Sequence, residues 1–253
     1  DDFITSSQAT AYYLKQHYAG KTLYVCGTRS LIEELEREHP EFITPDSPTQ
    51  RVGNDLSEGF RKVTHPAPMQ SIDDIFEHKP SEGETDAELV EFYNRLASSL
   101  GQQAPRVTIE PKIDGCAVTL LYRRGRLDYA ATRGDGRTGD DITANVRTIR
   151  SVPVTLPEGA PELLEVRGEI YMPLADFDTL NAERDADGLP AFANPRNAAS
   201  GTLKLQDSAV VAKRGLDAYL YFMLGEQLPA EGHYENLQCA AEWGFKVSSY
   251  TRK

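Results

Sequence analysis

Two strand-like runs with almost nothing between them constrain this chain more than any other feature. Ala117 to Tyr122 and Leu127 to Thr132 flank Arg124-Gly125, a turn so short that the runs are expected to fold back on each other as an antiparallel hairpin. A third run, Leu163 to Met172, alternates. Leu164, Val166 and Ile170 share one side, while Glu165, Arg167 and Glu169 share the other. That charged side is either turned to solvent with an ion pair along it, or the lining of a cleft that holds a ribose or a metal. A fourth run, Ala218 to Leu224, is apolar on both faces and is expected to be buried in a sheet. Arg106 to Lys112 alternates as well, with Val107 and Ile109 on one face and Thr108, Glu110 and Lys112 on the other. It is expected to be a half-buried strand running into a turn at Asp114-Gly115.

Helical periodicity fills the gaps. Thr85-x-x-Glu88 is read as the cap of a helix carrying Leu89, Phe92, Leu96 and Leu100 and stopped by Gly101. Pro173 starts another, with Leu174, Phe177 and Leu180, and a last one covers residues 234–243, closed by Gly244. Residues 1–40 read helix, strand, helix. Residues 41–66, with Pro45, Pro48 and Pro66, are expected to form a linker or a draped segment. Residues 67–253 are then one domain. The expected fold class is α+β: a mostly antiparallel sheet core with flanking helices.

Composition narrows the function classes. Hydrophobic residues make up 40% of the 253 and charged residues 26%, ordinary values for a globular chain. No apolar run approaches the roughly 20 residues that span a bilayer, no signal-peptide pattern is read, and a chain opening on Asp1 is expected to be a piece of a longer product. Cys26, Cys116 and Cys239 are far apart, which fits neither a zinc site nor a disulfide framework and points to a reducing cytoplasm. The net charge of −12 suits a phosphate backbone poorly. If the chain acts on nucleic acid, a local basic patch or another domain supplies the grip.

Chemistry concentrates around Glu110-Pro111-Lys112-Ile113-Asp114-Gly115. On parity alone Lys112 is either a solvated strand-end charge or a nucleophile. An ordinary lysine has a pKa of about 10.4, so only about 1 in 2500 is neutral at pH 7, and a ~3-unit depression takes about 4 kcal/mol of bias against the ammonium. The Gly-rich segment Arg133 to Asp141 lacks the closing Gly-Lys-Ser/Thr of a phosphate-cradling loop. It is either a plain connection or a loop that brings Arg133 over a nucleotide.

Taken in order, Lys112-Ile113-Asp114-Gly115, Arg133-Gly134-Asp135-Gly136, Glu165-Val166-Arg167-Gly168-Glu169 and Asn194-Pro195-Arg196-Asn197-Ala198-Ala199-Ser200-Gly201 resemble the bacterial NAD-dependent DNA ligases. The likeness runs from about Leu35 to Val247 and includes Ile43 to Gly53, Pro68-Met69 and Ser71-Ile72-Asp73. It implies a covalent nucleotidyltransferase (ATP-grasp-like) fold with the nucleotide in a cleft between sheet faces. Lys112 would attack the adenylyl phosphorus of NAD, Glu110 would read the adenine amino group, and Ser71 with Ile72 (where Leu is usual) would contact the dinucleotide. Arg133 and Glu169 would lie around ribose and phosphates, with Asp114 and Arg196 in the same pocket. Mg²⁺ is the implied metal, held by phosphate oxygens and water and not by a protein cage. The implied partner is nicked double-stranded DNA, sealed in replication and repair, and the implied state is a cytoplasmic monomer.

The same resemblance marks departures. Val25-Cys26 stands where the family carries a Tyr-Asp pair that grips the nicotinamide half. Residues 1–33 look more like a piece of a haloacid-dehalogenase-type phosphatase without its aspartate nucleophile. Lys204 stands where Arg is frequent. The family's later phosphate-contacting lysines and its DNA-clamping domains would follow Lys253, so the fold is expected to be truncated there and nick closure is expected only from a longer chain. Two alternatives remain at this stage: an ATP-using ligase or capping-type transferase, and a nucleotide-binding module without turnover.

Overall fold

The computed structural model describes residues 59–70, 72 and 86–253. The elements expected over residues 1–40, most of the linker, and Ser71 lie outside them.

The hairpin forms as β2 (Cys116–Arg123) and β3 (Arg126–Thr132). Its turn places both Arg124 (φ 49°) and Gly125 (φ 71°) in the left-handed region, the geometry that matches the twist of a two-residue hairpin. β5 (Leu163–Tyr171) pairs antiparallel with β2 along its length, and β6 (Asp217–Leu224) pairs with β5. The order is β3-β2-β5-β6. β6 is therefore an edge strand, not the doubly buried one its composition implied, and Phe222 is 39% exposed. Its edge is met by the chain after the last helix, through a parallel bridge between Leu220 and Val247.

A second, two-stranded sheet pairs β1 (Lys62–Thr64) with β4 (Thr138–Asp140). β1 falls inside the stretch expected as linker, and β4 inside the Gly-rich segment expected as loop. Three-residue strands are too short for alternation to register. The expected strand over Arg106–Lys112 is absent. This segment makes one bridge, Ile109 to Arg252, and Val107 and Ile109 are 39% and 66% exposed. Its alternation reflects an extended chain, not a ladder.

α1 (Ala87–Leu100) is capped by Asp86, one residue after the expected Thr85, and ends at Gly101 with φ 62°. None of its residues is buried among the described ones. α2 (Thr143–Val146), α3 (Leu174–Ala186), α4 (Pro195–Leu203), α5 (Ser208–Ala212) and α6 (His233–Glu242) complete the set. α4 was not expected as a helix. Asn194 accepts a bond from the Asn197 amide, and Pro195 fills the first helical position, where its missing N–H costs nothing. The far end of α4 is closed by buried Asn145, whose amide donates to the carbonyls of Leu203 and Leu205 at 2.9 and 2.8 Å. The Leu203 carbonyl is one that a helix end cannot satisfy by itself, and Leu205 lies just beyond it.

The main core lies on one sheet face. Val118, Leu120 and Tyr122 of β2 and Leu164, Val166 and Ile170 of β5 pack with Ile142, Val146, Ile149 and Leu237. Tyr122 meets Phe245 edge-on at 5.7 Å and donates to the Pro153 carbonyl. A smaller cluster, Met172, Leu180, Ala198 and Ala199, sits under α3 and α4.

One polar group clips the chain after α6 to the sheet. Lys246 Nζ donates to Tyr171 Oη at 2.7 Å and to Asp217, while Tyr171 donates to Asp217 at 2.9 Å. Burial raises Asp217, but bonds from Lys246, Ser151 and Tyr171 outweigh it and hold its pKa below the usual carboxylate value. Burial lowers Lys246, but its bonds to Asp217 and Tyr171 outweigh that and hold it above the usual amine value. Burial and the Asp217 charge push Tyr171 up to about 12. The signs define a window. Asp217 contributes above about pH 4 and its share is lost as pH falls through its depressed pKa; Lys246 contributes below about pH 10 and its share is lost above that. The stability deficit of Lys246→Met, measured by thermal melts, is expected to be constant between about pH 5 and 9 and to shrink below about pH 4.

Candidate adenylyl-transfer site

The face of the sheet opposite the core carries Thr119 and Leu121 of β2 with Glu165, Arg167 and Glu169 of β5, and it is not a solvated surface. Glu165 and Arg167 are 5% and 9% exposed. Arg167 Nε donates to Glu165 Oε1 at 2.8 Å, and Thr119 Oγ1 donates to the same oxygen at 2.9 Å. The rest of the guanidinium donates to the carbonyls of Ala67 and Pro68 at 2.7 and 3.1 Å. Residues 65–69 thus form a strap across the middle of this face. It is fixed at its flanks by His65 N–H to Arg137 O and Met69 N–H to Gly136 O. The ion pair expected along this side is present, but it is buried under residues 65–69 and not turned to solvent. A cavity of about 790 Å³ opens on one side of the strap, lined in part by Ala67, Leu121, Glu165 and Leu224. Of the residues singled out from the sequence, Glu165 lines it, but none of Glu110, Lys112, Asp114, Arg133, Glu169 and Arg196 does, so its size does not mark the chemistry.

The candidate residues gather at the other end of β5. Glu169 accepts from the Gly115 amide at 3.2 Å, and its charged neighbours are Arg196, Lys112 and Asp114. Asp114 accepts from Arg196 Nη1 at 2.9 Å, and this carboxylate holds the Arg196 guanidinium above its ordinary value. Arg196 stands in the first turn of α4, so the Asn194 cap and Pro195 set its approach. The motif glycines follow from close backbone packing. A Cβ on Gly115 would lie 2.2 Å from the Ile170 carbonyl oxygen, so any side chain there would push Lys112 and Asp114 away from β5. Gly134 has φ 57°, and a Cβ there would lie 1.9 Å from the Thr138 carbonyl oxygen. That fixes the tight turn after Arg133, in which Asp135 accepts from the amides of Arg137 and Thr138.

Lys112, Asp114, Glu169 and Arg196 are therefore brought together. Glu110 pairs instead with His233, whose Nε2 lies 3.0 Å from Glu110 Oε2. Arg133 joins through Tyr221, whose charged neighbours are Glu169, Arg167 and Arg133. Ile72 stands 66% exposed, and Ser71 is outside the described residues. Lys204 forms an ion pair with Asp140 at 3.7 Å. Tyr221 and His233 were not singled out from the sequence. Tyr221 falls in the β-bulge between the Arg167–Phe222 and Gly168–Leu220 pairs, a device that re-aims a side chain and leaves no trace in alternation. Burial, and secondarily the Glu169 charge, push its hydroxyl up to about 12, so it stays protonated at neutral pH. Among the described residues no group of three or more His, Cys, Asp or Glu is placed to hold a metal ion. No helix of the described residues is long and apolar enough to cross a membrane.

Burial raises the pKa of Glu169, only partly offset by the Gly115 amide, Arg196 and Lys112. A carboxylate with a raised folded pKa favours the fold below its unfolded pKa and loses that contribution as pH climbs through the folded value. At neutral pH the ionised group therefore costs stability. Glu169→Gln is expected to leave the melting temperature unchanged or higher while lowering adenylate transfer by about 10²-fold or more. Melting and transfer rates on one preparation check both halves.

Residues 57–253 match the NAD-dependent DNA ligase adenylation domain, and residues 29–53 match the DNA ligase-like N-terminal NAD+-binding domain. The second match begins inside the stretch 1–33 read above as phosphatase-like, and that likeness is unsupported. A DNA ligase of Parabacteroides distasonis is 52% identical over 223 residues, covering 88% of this chain and 32% of its own length. A DNA ligase of Akkermansia muciniphila is 59% identical over 194 residues, covering 77% and 24%. One of Thermotoga neapolitana is 47% identical over 225 residues, covering 88% and 31%. The chain thus spans about a third or less of the length of these relatives. A match over most of the described sheet and helices, with lysine, carboxylates and arginines assembled at one end of β5, shows that the chain belongs to the NAD-dependent DNA ligase adenylation domain family.

Proposed function

We propose that this chain carries out the first half-reaction of an NAD-dependent DNA ligase, with Lys112 as the adenylyl acceptor. The observation that carries the reading is the assembly of Lys112, Asp114, Glu169 and Arg196 around the Gly115–Glu169 bond. The neutral Lys112 Nζ forms a bond to the adenylyl phosphorus of NAD. The bond from that phosphorus to the bridging oxygen breaks, nicotinamide mononucleotide leaves with the electron pair, and the amine proton goes to solvent. Phosphoryl transfer asks the protein mainly for positioning and charge stabilisation. Arg196 and Arg133 supply cationic charge, while Glu169 is suited to accept from ribose hydroxyls. Glu110 reads the adenine amino group, and Ser71 and Ile72 contact the dinucleotide.

The carboxylates of the site already have partners: Asp114 has Arg196, and Glu169 has the Gly115 amide. This fits a Mg²⁺ ion held by phosphate oxygens and water, supplying charge neutralisation. The mixed sheet-and-helix architecture fits the covalent nucleotidyltransferase fold, with residues 67–253 as the adenylation domain and β1 joined to it. In the whole ligase the lysyl-adenylate would serve to seal nicked DNA, as a cytoplasmic monomer.

Incubating the chain with Mg²⁺ and either adenine-labelled NAD or adenine-labelled ATP tests the reading. The expected result is a mass gain of one adenylate from NAD and none from ATP. Labelling by ATP alone would make it an ATP-using transferase, and no adduct from either would leave a nucleotide-binding module without turnover.

A further inference from the structure

Glu110 does not stand in an ordinary solvated position, and the reason is a residue more than a hundred positions away. Its backbone neighbour Ile109 exchanges two hydrogen bonds with Arg252, at 2.8 and 3.0 Å, which fixes where the Glu110 side chain leaves the chain. The carboxylate then meets His233, the first residue of α6, at 3.0 Å through Oε2. A carboxylate only accepts, so Nε2 must carry the proton. The imidazole in turn leans on Phe222, with ring centroids 5.6 Å apart and planes tilted by 43°. Phe222 belongs to β6 and pairs with Arg167 across the sheet. The side chains of Glu110 and His233 are 24% and 31% exposed, so the pair is sheltered yet reachable. One carboxylate oxygen is engaged by the ring, and Oε1 remains to accept from an incoming donor.

We infer that His233 is a positioning residue for base selection: it holds the Glu110 carboxylate so that its free oxygen accepts from the exocyclic amine of adenine. The inference rests on the reading of Glu110 given under Proposed function and deepens it. A carboxylate so held attracts an amine donor and repels a carbonyl, so it discriminates adenine from hypoxanthine, whose ring carries oxygen at the same position. A carboxylate free to rotate reaches the same amine at an entropic cost and rejects the carbonyl less sharply. His233 touches no reacting atom, so its loss should appear in KM and in base choice, not in the rate at saturation.

The test follows Lys112 labelling kinetics with NAD and with nicotinamide hypoxanthine dinucleotide. It compares the full chain, His233→Ala and His233→Gln, whose amide keeps a donor within reach of Glu110. For His233→Ala, KM for NAD is expected to rise about tenfold, the worth of one charge-assisted hydrogen bond, and the preference for NAD over the hypoxanthine analogue to fall by about the same factor. The rate at saturating NAD stays within about twofold, and His233→Gln recovers most of the preference. If His233→Ala is labelled with an unchanged KM and an unchanged preference, the inference is overturned while the lysine-adenylation reading stands. If the wild-type chain takes up no adenylate from NAD, that reading falls and this inference with it. Equal loss of saturated rate with both dinucleotides, not recovered by His233→Gln, would make His233 a structural residue and also overturn the proposal.

Discussion

Replacing Lys112 by alanine is expected to abolish adenylate uptake, by a factor on the order of 10⁴ or more, because no other group takes over a lost nucleophile. The fold should not register the change, since Lys112 is exposed and the backbone here is held by Gly115 against Glu169 and Ile170. Lys112→Arg separates the two ways a cation could matter. Arginine keeps the charge but does not deprotonate, so it should retain dinucleotide binding within a few-fold and still form no adduct. Intact-protein mass after incubation with NAD and Mg²⁺ reads uptake, and calorimetry with NAD reads binding. An adduct that survives Lys112→Ala would move the acceptor to another side chain.

The second large effect concerns stability. Arg167→Leu leaves the Glu165 carboxylate buried, with Thr119 as its remaining side-chain donor, and strips the Ala67 and Pro68 carbonyls of their donors. Breaking a buried pair from one side costs about 3–5 kcal/mol, because an uncompensated charge stays in a low-dielectric site. Urea unfolding should show that loss in its midpoint. Glu165→Leu/Arg167→Leu removes both charges and is expected to recover most of it. If the double variant is as unstable as the single one, the strap contacts and not the stranded charge carry the energy. Adenylate transfer in the surviving folded fraction should change much less, since Arg167 lies two residues from Glu169 on the strand and its guanidinium bonds the strap and Glu165, not the Lys112 cluster.

What could be read from the sequence follows from how far each feature depends on distant residues. β5 was legible because alternation over nine residues is a local signal, and β2 and β3 because two apolar, strand-like runs flank a very short turn. Glycine after Arg124 marked that turn. Lys112, Asp114, Glu169 and Arg196 were found by resemblance, and they meet because β2 and β5 pair over their full length and α4 packs on both. The helix α4 was hidden behind its small residues, although Asn194-Pro195 announced its start. The Arg106–Lys112 strand was over-read: alternation describes any extended segment, and a ladder needs a partner, here reduced to Arg252. The burial of Glu165 and Arg167 was illegible because it depends on residues 65–69, and the Glu110–His233 contact because it joins positions 123 apart.

The strap has a consequence for how the domain is reached from the unfolded chain. Its bonds to Arg167 span 99 and 100 residues, whereas the β2–β3 hairpin closes over a two-residue turn. Closing a loop of that length carries an entropic cost that local pairs avoid, and contacts of high sequence separation slow the search. The sheet is thus expected to assemble first with Glu165 and Arg167 still hydrated, and residues 65–69 to dock late, drying the pair as they arrive. Contacts made after the barrier govern the rate of unfolding more than the rate of folding. In that order of events, a segment that precedes the hairpin by some fifty residues acts as the latch that keeps the finished sheet from opening.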